Sequence, residues 1–284
     1  MGNRIFAGAA LAFAIATGLP AHASSNVEVV PSSELKFIPL NPARGDASPQ
    51  AGVLWGDIRK DMPSGILLRF AKGFASPPHI HNITYRAVVI SGALHNDDPG
   101  AERMWMGPGS FWTQPAGENH ITAAPSNGGA TAFLEILEGP YLVQPSNEAF
   151  DNGELPINMA ASNITWLNAD DVTWVNKTAT AQQEGNVQVA YLWGQPRNGE
   201  KNGTFLKLPS EFEGKLKSGD AVLRAVVIRG DVQHQHTENS DPIKLRTGSY
   251  FGSKSQTQHQ LSCKSENSCI IYVRTEGRYS VTGR

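Results

Sequence analysis

The chain has 284 residues, with 24 Lys and Arg against 26 Asp and Glu and a formal net charge of −2. The two signs are interspersed and no basic stripe with interleaved aromatics appears, which argues against a nucleic-acid partner. Its 28 Gly and 18 Pro separate short Val, Ile, Thr and aromatic runs, a pattern of strands and turns more than helices.

In chain order, residues 1–23 come first. Arg4 supplies a positive charge, Phe6 to Leu19 is a run of small and apolar residues, and Ala21-His22-Ala23 fits a small-x-small cleavage site. That is the pattern of a secretory signal peptide, too short and too rich in Ala and Gly for a membrane span. The mature chain is therefore expected to be secreted or periplasmic, with no membrane attachment. It is long enough for one large or two ordinary domains.

Past the leader, LKFIPL, AGVLWGDI, GILLRFA, HIHNITYRAVVIS, ERMWM, GSFWTQ and TAFLEILE read as short strands between Gly, Pro, Asn and Asp. The stretch NEAFDNGELPINMAAS (residues 147–162) is polar, broken by Pro and without strong periodicity. A boundary placed there gives an N-terminal unit, 24–150, and a C-terminal unit, 151–284.

The second unit repeats the first. VLWG at Val53–Gly56 returns as YLWG at Tyr191–Gly194, RAVVISG at Arg86–Gly92 as RAVVIRG at Arg224–Gly230, and GSFW at Gly109–Trp112 as GSYF at Gly248–Phe251. The offset stays at 138 or 139, and His120 and His259 stand at matching places. With only two copies, this is a duplicated domain and not a solenoid. Cys263 and Cys269 bracket the turn-like KSENS and fall on Ala124 and Ala130 of the first copy. In an exported chain such a pair is expected to form a disulfide. Arg86 and Arg224 open the two matched strands, and parity places them on the outer face or at the contact between the halves.

His79 and His81 stand at i and i+2, so on a strand both side chains point to one face. Alone, His-x-His does not separate a metal site from two core histidines. The surrounding spacing adds to it. GFASPPHIHNITYRAVVISG and GSFWTQPAGENHITAA resemble the two motifs of the cupin superfamily, G-x5-H-x-H-x3,4-E-x6-G and G-x5-P-x-G-x2-H-x3-N. The resemblance implies an all-β bicupin of two double-stranded β-helix (jelly-roll) barrels in tandem. It assigns His79, His81 and His120 as metal ligands for one divalent transition metal, Fe2+ or Zn2+ foremost, with Mn2+, Ni2+ and Cu2+ also accommodated.

Two positions depart from the motifs: Tyr85 stands where the family has its glutamate ligand, and Ala124 where it has its asparagine. The chain thus resembles the three-histidine cupins, such as the acetylacetone-cleaving dioxygenase and the ChrR-type sensor cupins. Tyr85 is expected to be catalytic, as a hydrogen-bond donor to a bound oxygen species. Losing the carboxylate leaves the metal one charge more positive, which favours a small anionic chelating ligand such as a β-dicarbonyl. The implied activity is a dioxygenase, with metal-assisted hydrolysis behind it; the alternative is a ligand-binding or sensory cupin without turnover. Glu102, Glu118 and Gln114 are candidates for hydrogen bonds to the histidines, and Trp105 and Trp112 for pocket walls.

In the second copy, Lys217 and Gly219 fall on the His-x-His positions, Lys254 replaces Pro115 and Gln256 replaces Gly117. Only His259 survives. His234 and His236 lie beyond Gly230 and are expected in a solvent-exposed turn, so the C-terminal unit is expected to be metal-free and structural. A homodimer is expected by analogy with single-barrel cupins, unless the duplicated halves satisfy that contact internally.

Overall fold

In the computed structural model the residues described are 26–176, 187–219, 222–237 and 240–284; the expected leader, residues 1–23, lies outside them. The secondary structure is almost entirely β, with a few short 3-10 turns, and none of the helices described is long and apolar enough to cross a membrane.

Two seven-stranded sheets carry the fold, and their strand orders match position by position. One runs Ile157–Met159, Phe111–Gln114, Tyr85–Ser91, Ala130–Ile136, Ser64–Phe70, Gln50–Trp55, Ile38–Pro39. The other runs Val27–Val30, Tyr250–Ser253, Leu223–Arg229, Cys269–Glu276, Lys201–Leu208, Gln188–Gly194, Leu167–Asn168. Their first strands are exchanged. Val27–Val30, from the N-terminal half, pairs with Tyr250–Ser253, while Ile157–Met159, past residue 150, pairs with Phe111–Gln114. Each half therefore covers an edge of the other's sheet, removing unpaired backbone groups that would invite association. The pairing crosses the boundary expected at 150/151 in both directions.

The sheets pack face to face on a shared core that includes Trp55, Phe133, Trp193, Phe205, Tyr250 and Tyr272. Arg86 lies 4.1 Å from the Trp193 ring and Arg224 lies 5.2 Å from the Trp55 ring, a reciprocal pair of cation–π contacts between the halves. Arg224 also stands 3.8 Å from Glu28 on the exchanged strand. At the centre, Glu135 and Arg274 form an ion pair at 3.6 Å with side chains 0% and 2% exposed, and the Tyr272 hydroxyl donates to Glu135.

The outer layers differ between the halves. Behind the second sheet lies a continuous six-stranded layer ordered Val175–Asn176, Tyr279–Gly283, Glu213–Ser218, Gln258–Cys263, Val232–Gln235, Ile243–Leu245. Behind the first sheet that layer is split into two-stranded pieces, Val143–Pro145 with His79–His81 and His95–Asp97 with Ile121–Ala123, joined by isolated bridges, His79 to His120 and Ala75 to Ala123. Cys263 and Cys269 form a disulfide. They end strands of different layers, so the bond ties the six-stranded layer to the seven-stranded sheet.

Candidate metal centre

His79 and His120 face each other across the bridge, each backbone N–H donating to the other's carbonyl at 3.1 and 3.0 Å. His81 is anchored by the Gly117 N–H, which donates to its carbonyl at 2.8 Å. Gly117 has φ 78° and a Cβ there would lie 2.2 Å from the Phe150 carbonyl, so only glycine lets the loop pass at this point.

The imidazoles are fixed at their far nitrogens. The Nδ1 atoms of His79, His81 and His120 lie 2.9, 2.8 and 3.1 Å from the carbonyls of Pro77, Leu142 and Glu118. A carbonyl only accepts, so each Nδ1 carries the proton and each Nε2 is left with a lone pair. One ligand atom from each ring falls within 4.8 Å of the others. Burial holds the rings neutral. It lowers His79, it lowers His120 to about 3 with the neighbouring His79 adding to the effect, and it takes His81 well below 6.5, with His120 and His79 acting in the same direction. Three neutral imidazoles with lone pairs gathered and Nδ1 tied back are the donor set a divalent first-row ion requires.

A chain of hydrogen bonds runs behind His120. The Glu118 carbonyl accepts from Gln114 Nε2 at 3.1 Å as well as from His120. That sets the Gln114 amide, whose Oε1 accepts from Asn96 Nδ2 at 2.8 Å. Asn96 Oδ1 then accepts from the Tyr85 hydroxyl at 2.9 Å and from Thr122 Oγ1 at 2.8 Å. The single Tyr85 proton is thus committed to Asn96, and its oxygen lies 3.4 Å from His120 Nε2. Burial pushes the Tyr85 phenol above its usual range, so it stays protonated.

Tyr141 is a site residue that no sequence motif marks. It stacks on His81 with centroids 4.3 Å apart, and its hydroxyl lies 3.1 Å from His81 Nε2, the nitrogen that faces the site. Its only sequence signal is an aromatic after Gly139-Pro140. Asn96 and Thr122 are likewise unmarked. Of the expected supports, Gln114 acts through its side chain and Glu118 through its backbone, whereas Glu102 is exposed and touches none of the histidines. Trp112 lines the site and Trp105 is exposed outside it.

His79 and His81 line a cavity of about 380 Å³ whose walls include Leu68, Phe70, Phe74, Trp112, Ala132 and Leu134.

The matching region of the second half corrects two expectations. Leu216 faces His259 as His79 faces His120, so Leu216 and Ser218, both buried, occupy the positions assigned to Lys217 and Gly219. One residue more separates Ser218 from Leu223 than His81 from Tyr85, which shifts the register by one. His234 does not lie in an exposed turn. It is wholly buried on the strand Val232–Gln235, where its Nε2 is 2.9 Å from Nδ1 of His259, whose Nε2 is 3.1 Å from Ser253 Oγ. His236 is half-buried.

A family model described as "Domain of unknown function (DUF4437)" matches residues 28–282. No curated protein matches the chain. Among solved structures, a protein of Nostoc punctiforme with a provisional dioxygenase assignment has TM-score 0.65 and 13% identity, covering 92% of this chain and 84% of its own. The Escherichia coli protein YlbA, of family DUF861, has TM-score 0.60 and 13% identity over 91% of this chain and 94% of its own. A single-residue variant of Bacillus subtilis oxalate decarboxylase has TM-score 0.52 and 11% identity, covering 93% of this chain and 80% of its own. The likeness shows that the chain shares its fold with these proteins.

Proposed function

The chain belongs to the family described as a domain of unknown function (DUF4437), and from its own residues we propose an exported, metal-dependent enzyme of the dioxygenase type acting on a small anionic chelating molecule. The observation that carries this reading is the convergence of three neutral imidazoles, each with its Nδ1 proton spent on a carbonyl, two of them lining a cavity. His79, His81 and His120 would hold the ion. A divalent first-row metal, Fe2+ or Zn2+ foremost, supplies Lewis acidity toward chelating oxygens and, as iron, reactivity toward O2.

The protein's side chains bind and orient. With the Tyr85 proton held by Asn96, we assign the donor role to Tyr141. Once His81 Nε2 is engaged, the Tyr141 hydroxyl loses its acceptor there and can donate to a ligand oxygen. Tyr85 then stands beside His120, tied to Asn96, and closes the polar end of the cavity. Trp112 and the aliphatic walls exclude water from that end.

A second reading, ligand binding without turnover, draws on one observation: among the described residues, no carboxylate lines the cavity to act as a general base. Elemental analysis of the mature protein, followed by oxygen uptake with β-diketones and 2-oxo acids, separates the two. Bound metal with oxygen uptake supports the enzyme, bound metal without uptake or hydrolysis supports the binder, and less than about a tenth of an equivalent of metal overturns both. The N-terminal residue of the exported protein tests the cleavage expected after Ala23.

A further inference from the structure

We infer that the molecule bound at the histidines is an amphiphile, a chelating anionic head on an extended apolar body, and not a compact polar acid. The inference rests on the metal reading above and adds the substrate's shape and polarity to it.

Three observations carry it. First, much of the lining apart from the metal-binding end and the rim is apolar. His79, His81, Tyr85, Tyr141 and Thr122 line the metal-binding end, while the other walls include Leu68, Phe70, Phe74, Ala87, Ala132 and Leu134, with Asn41, Ser48 and Ser76 as further polar lining. A compact acid such as a two-carbon dianion would leave most of those walls against water, whereas an alkyl or aryl body would cover them. Second, the apolar surface continues out of the mouth. Leu142 and Val143, which line the opening, are 46% and 60% exposed. They adjoin Tyr141, so the apolar path runs from solvent to the metal-binding end.

Third, the charge at the rim has one sign. Arg59 is held by Asp57 in a two-pronged pair at 2.8 and 2.9 Å, which neutralises it. Arg44 lines the same mouth and sits 6.0 Å over the Phe74 ring. Among the described residues it meets no carboxylate, and none lines the cavity. An arginine free of a carboxylate at the entrance, above a site carrying a dication, attracts an anion without reading the shape of its tail.

The test uses zinc-loaded full-length protein, in which no redox turnover occurs, and calorimetric titration with straight-chain 2-oxo acids from pyruvate to 2-oxooctanoate, with oxalate as the anion that has no body. Each added methylene is expected to tighten binding about fourfold until the cavity is filled, and oxalate should bind more weakly than the longer members. Arg44→Gln should weaken every member several-fold by the same factor. That factor should shrink as salt rises, and the dependence on chain length should be unchanged. A flat or falling series, or tightest binding by oxalate, overturns the inference while leaving a zinc-loaded site standing. Failure of the protein to load zinc brings down the metal reading and this inference together.

Discussion

The two halves share a sheet order, a turn chemistry and an offset of 138 or 139 residues, yet one holds a cavity and the other a closed core. The difference lies in the outer layer. In the C-terminal half Glu213–Ser218 pairs along its length with both Gln258–Cys263 and Tyr279–Gly283, and Leu216 and Val281 fill the space between layers. In the N-terminal half the equivalent of that strand is shortened to His79–His81, and isolated bridges, His79 to His120 and Ala75 to Ala123, replace continuous pairing with the strand region of His120. A layer that gives up backbone pairing must satisfy the freed groups otherwise. Here the Pro77, Glu118 and Leu142 carbonyls are taken by histidine Nδ1 protons. The interrupted layer and the oriented histidines are one structural device.

The contact between halves teaches something else. Phe133 and Tyr272 are equivalent positions, as are Glu135 and Arg274, and each meets its own equivalent: the rings at 5.1 Å, the ion pair at 3.6 Å. Equivalent residues touch only near a two-fold axis. In a pair of identical chains, the site would set two carboxylates or two guanidinium groups against each other without solvent. Duplication within one chain permits opposite charges there, so this face is spent internally and a homodimer would need another.

The sharpest way to break the comparison is to remove one histidine from each half. His81→Ala should abolish stoichiometric metal in elemental analysis, whereas His259→Ala should leave it unchanged, since Leu216 and Ser218 offer its half no imidazoles. Metal retained by the first variant, or lost from the second, would mean the halves share the site. Next comes the axis. Glu135→Ala leaves the buried Arg274 with only the more exposed Glu276, 3.8 Å away, and should cost about 3 kcal/mol in urea unfolding. The double variant Glu135→Arg with Arg274→Glu should recover most of that loss, and failure to do so would show that the surroundings, Tyr272 included, are not interchangeable between the halves.

Much of this is legible in the sequence because it depends on local spacing. The strands, the duplication and the expected pairing of Cys263 with Cys269 follow from residue type at fixed intervals, and the triad of His79, His81 and His120 from the resemblance to the cupin motifs. What stays hidden depends on chain segments meeting from afar. Tyr141 reaches His81 from 60 positions away, and Asn96 reaches Tyr85 by way of a different strand. Alignment on Gly92 and Gly230 sets Lys217 and Gly219 one place late because a turn gained a residue, and one residue inverts which side chains face inward. His234 is misread for a related reason: residues past a strand-ending glycine look like a turn, but here they begin the next strand, in register with Asn96 of the first half.

The buried histidine pair of the second half gives a pH test that is read as a difference between variants, because the histidines of the first half are lowered as well. Burial takes His259 from 6.5 to about 4 and His234 well below 6.5. As pH falls, the unfolded chain takes up protons first, so this stability is whole above about 6.5 and drains away as pH approaches 4. For His259 alone the loss is about 3 kcal/mol. His259→Gln should flatten that limb of a urea-midpoint profile, and an unchanged profile would place the acid sensitivity elsewhere.

The smallest expected effect concerns the disulfide. Cys263 N–H donates to the Phe212 carbonyl at 2.9 Å, and Ala124 N–H donates to the equivalent Phe74 carbonyl at the same distance. The sheet register matches as well, Cys269 opposite Leu208 and Ala130 opposite Phe70. The backbone at this turn is therefore common to both halves, and the bond is an addition to one. Replacing both cysteines by alanine should cost about 2 kcal/mol, given the short loop it closes. Introducing Ala124→Cys and Ala130→Cys should close the same link in the first half, read as loss of free thiol. If the thiols stay free, the interrupted layer around His79–His81 has moved away from the sheet, and the cavity, not the turn, sets the spacing of the layers in that half.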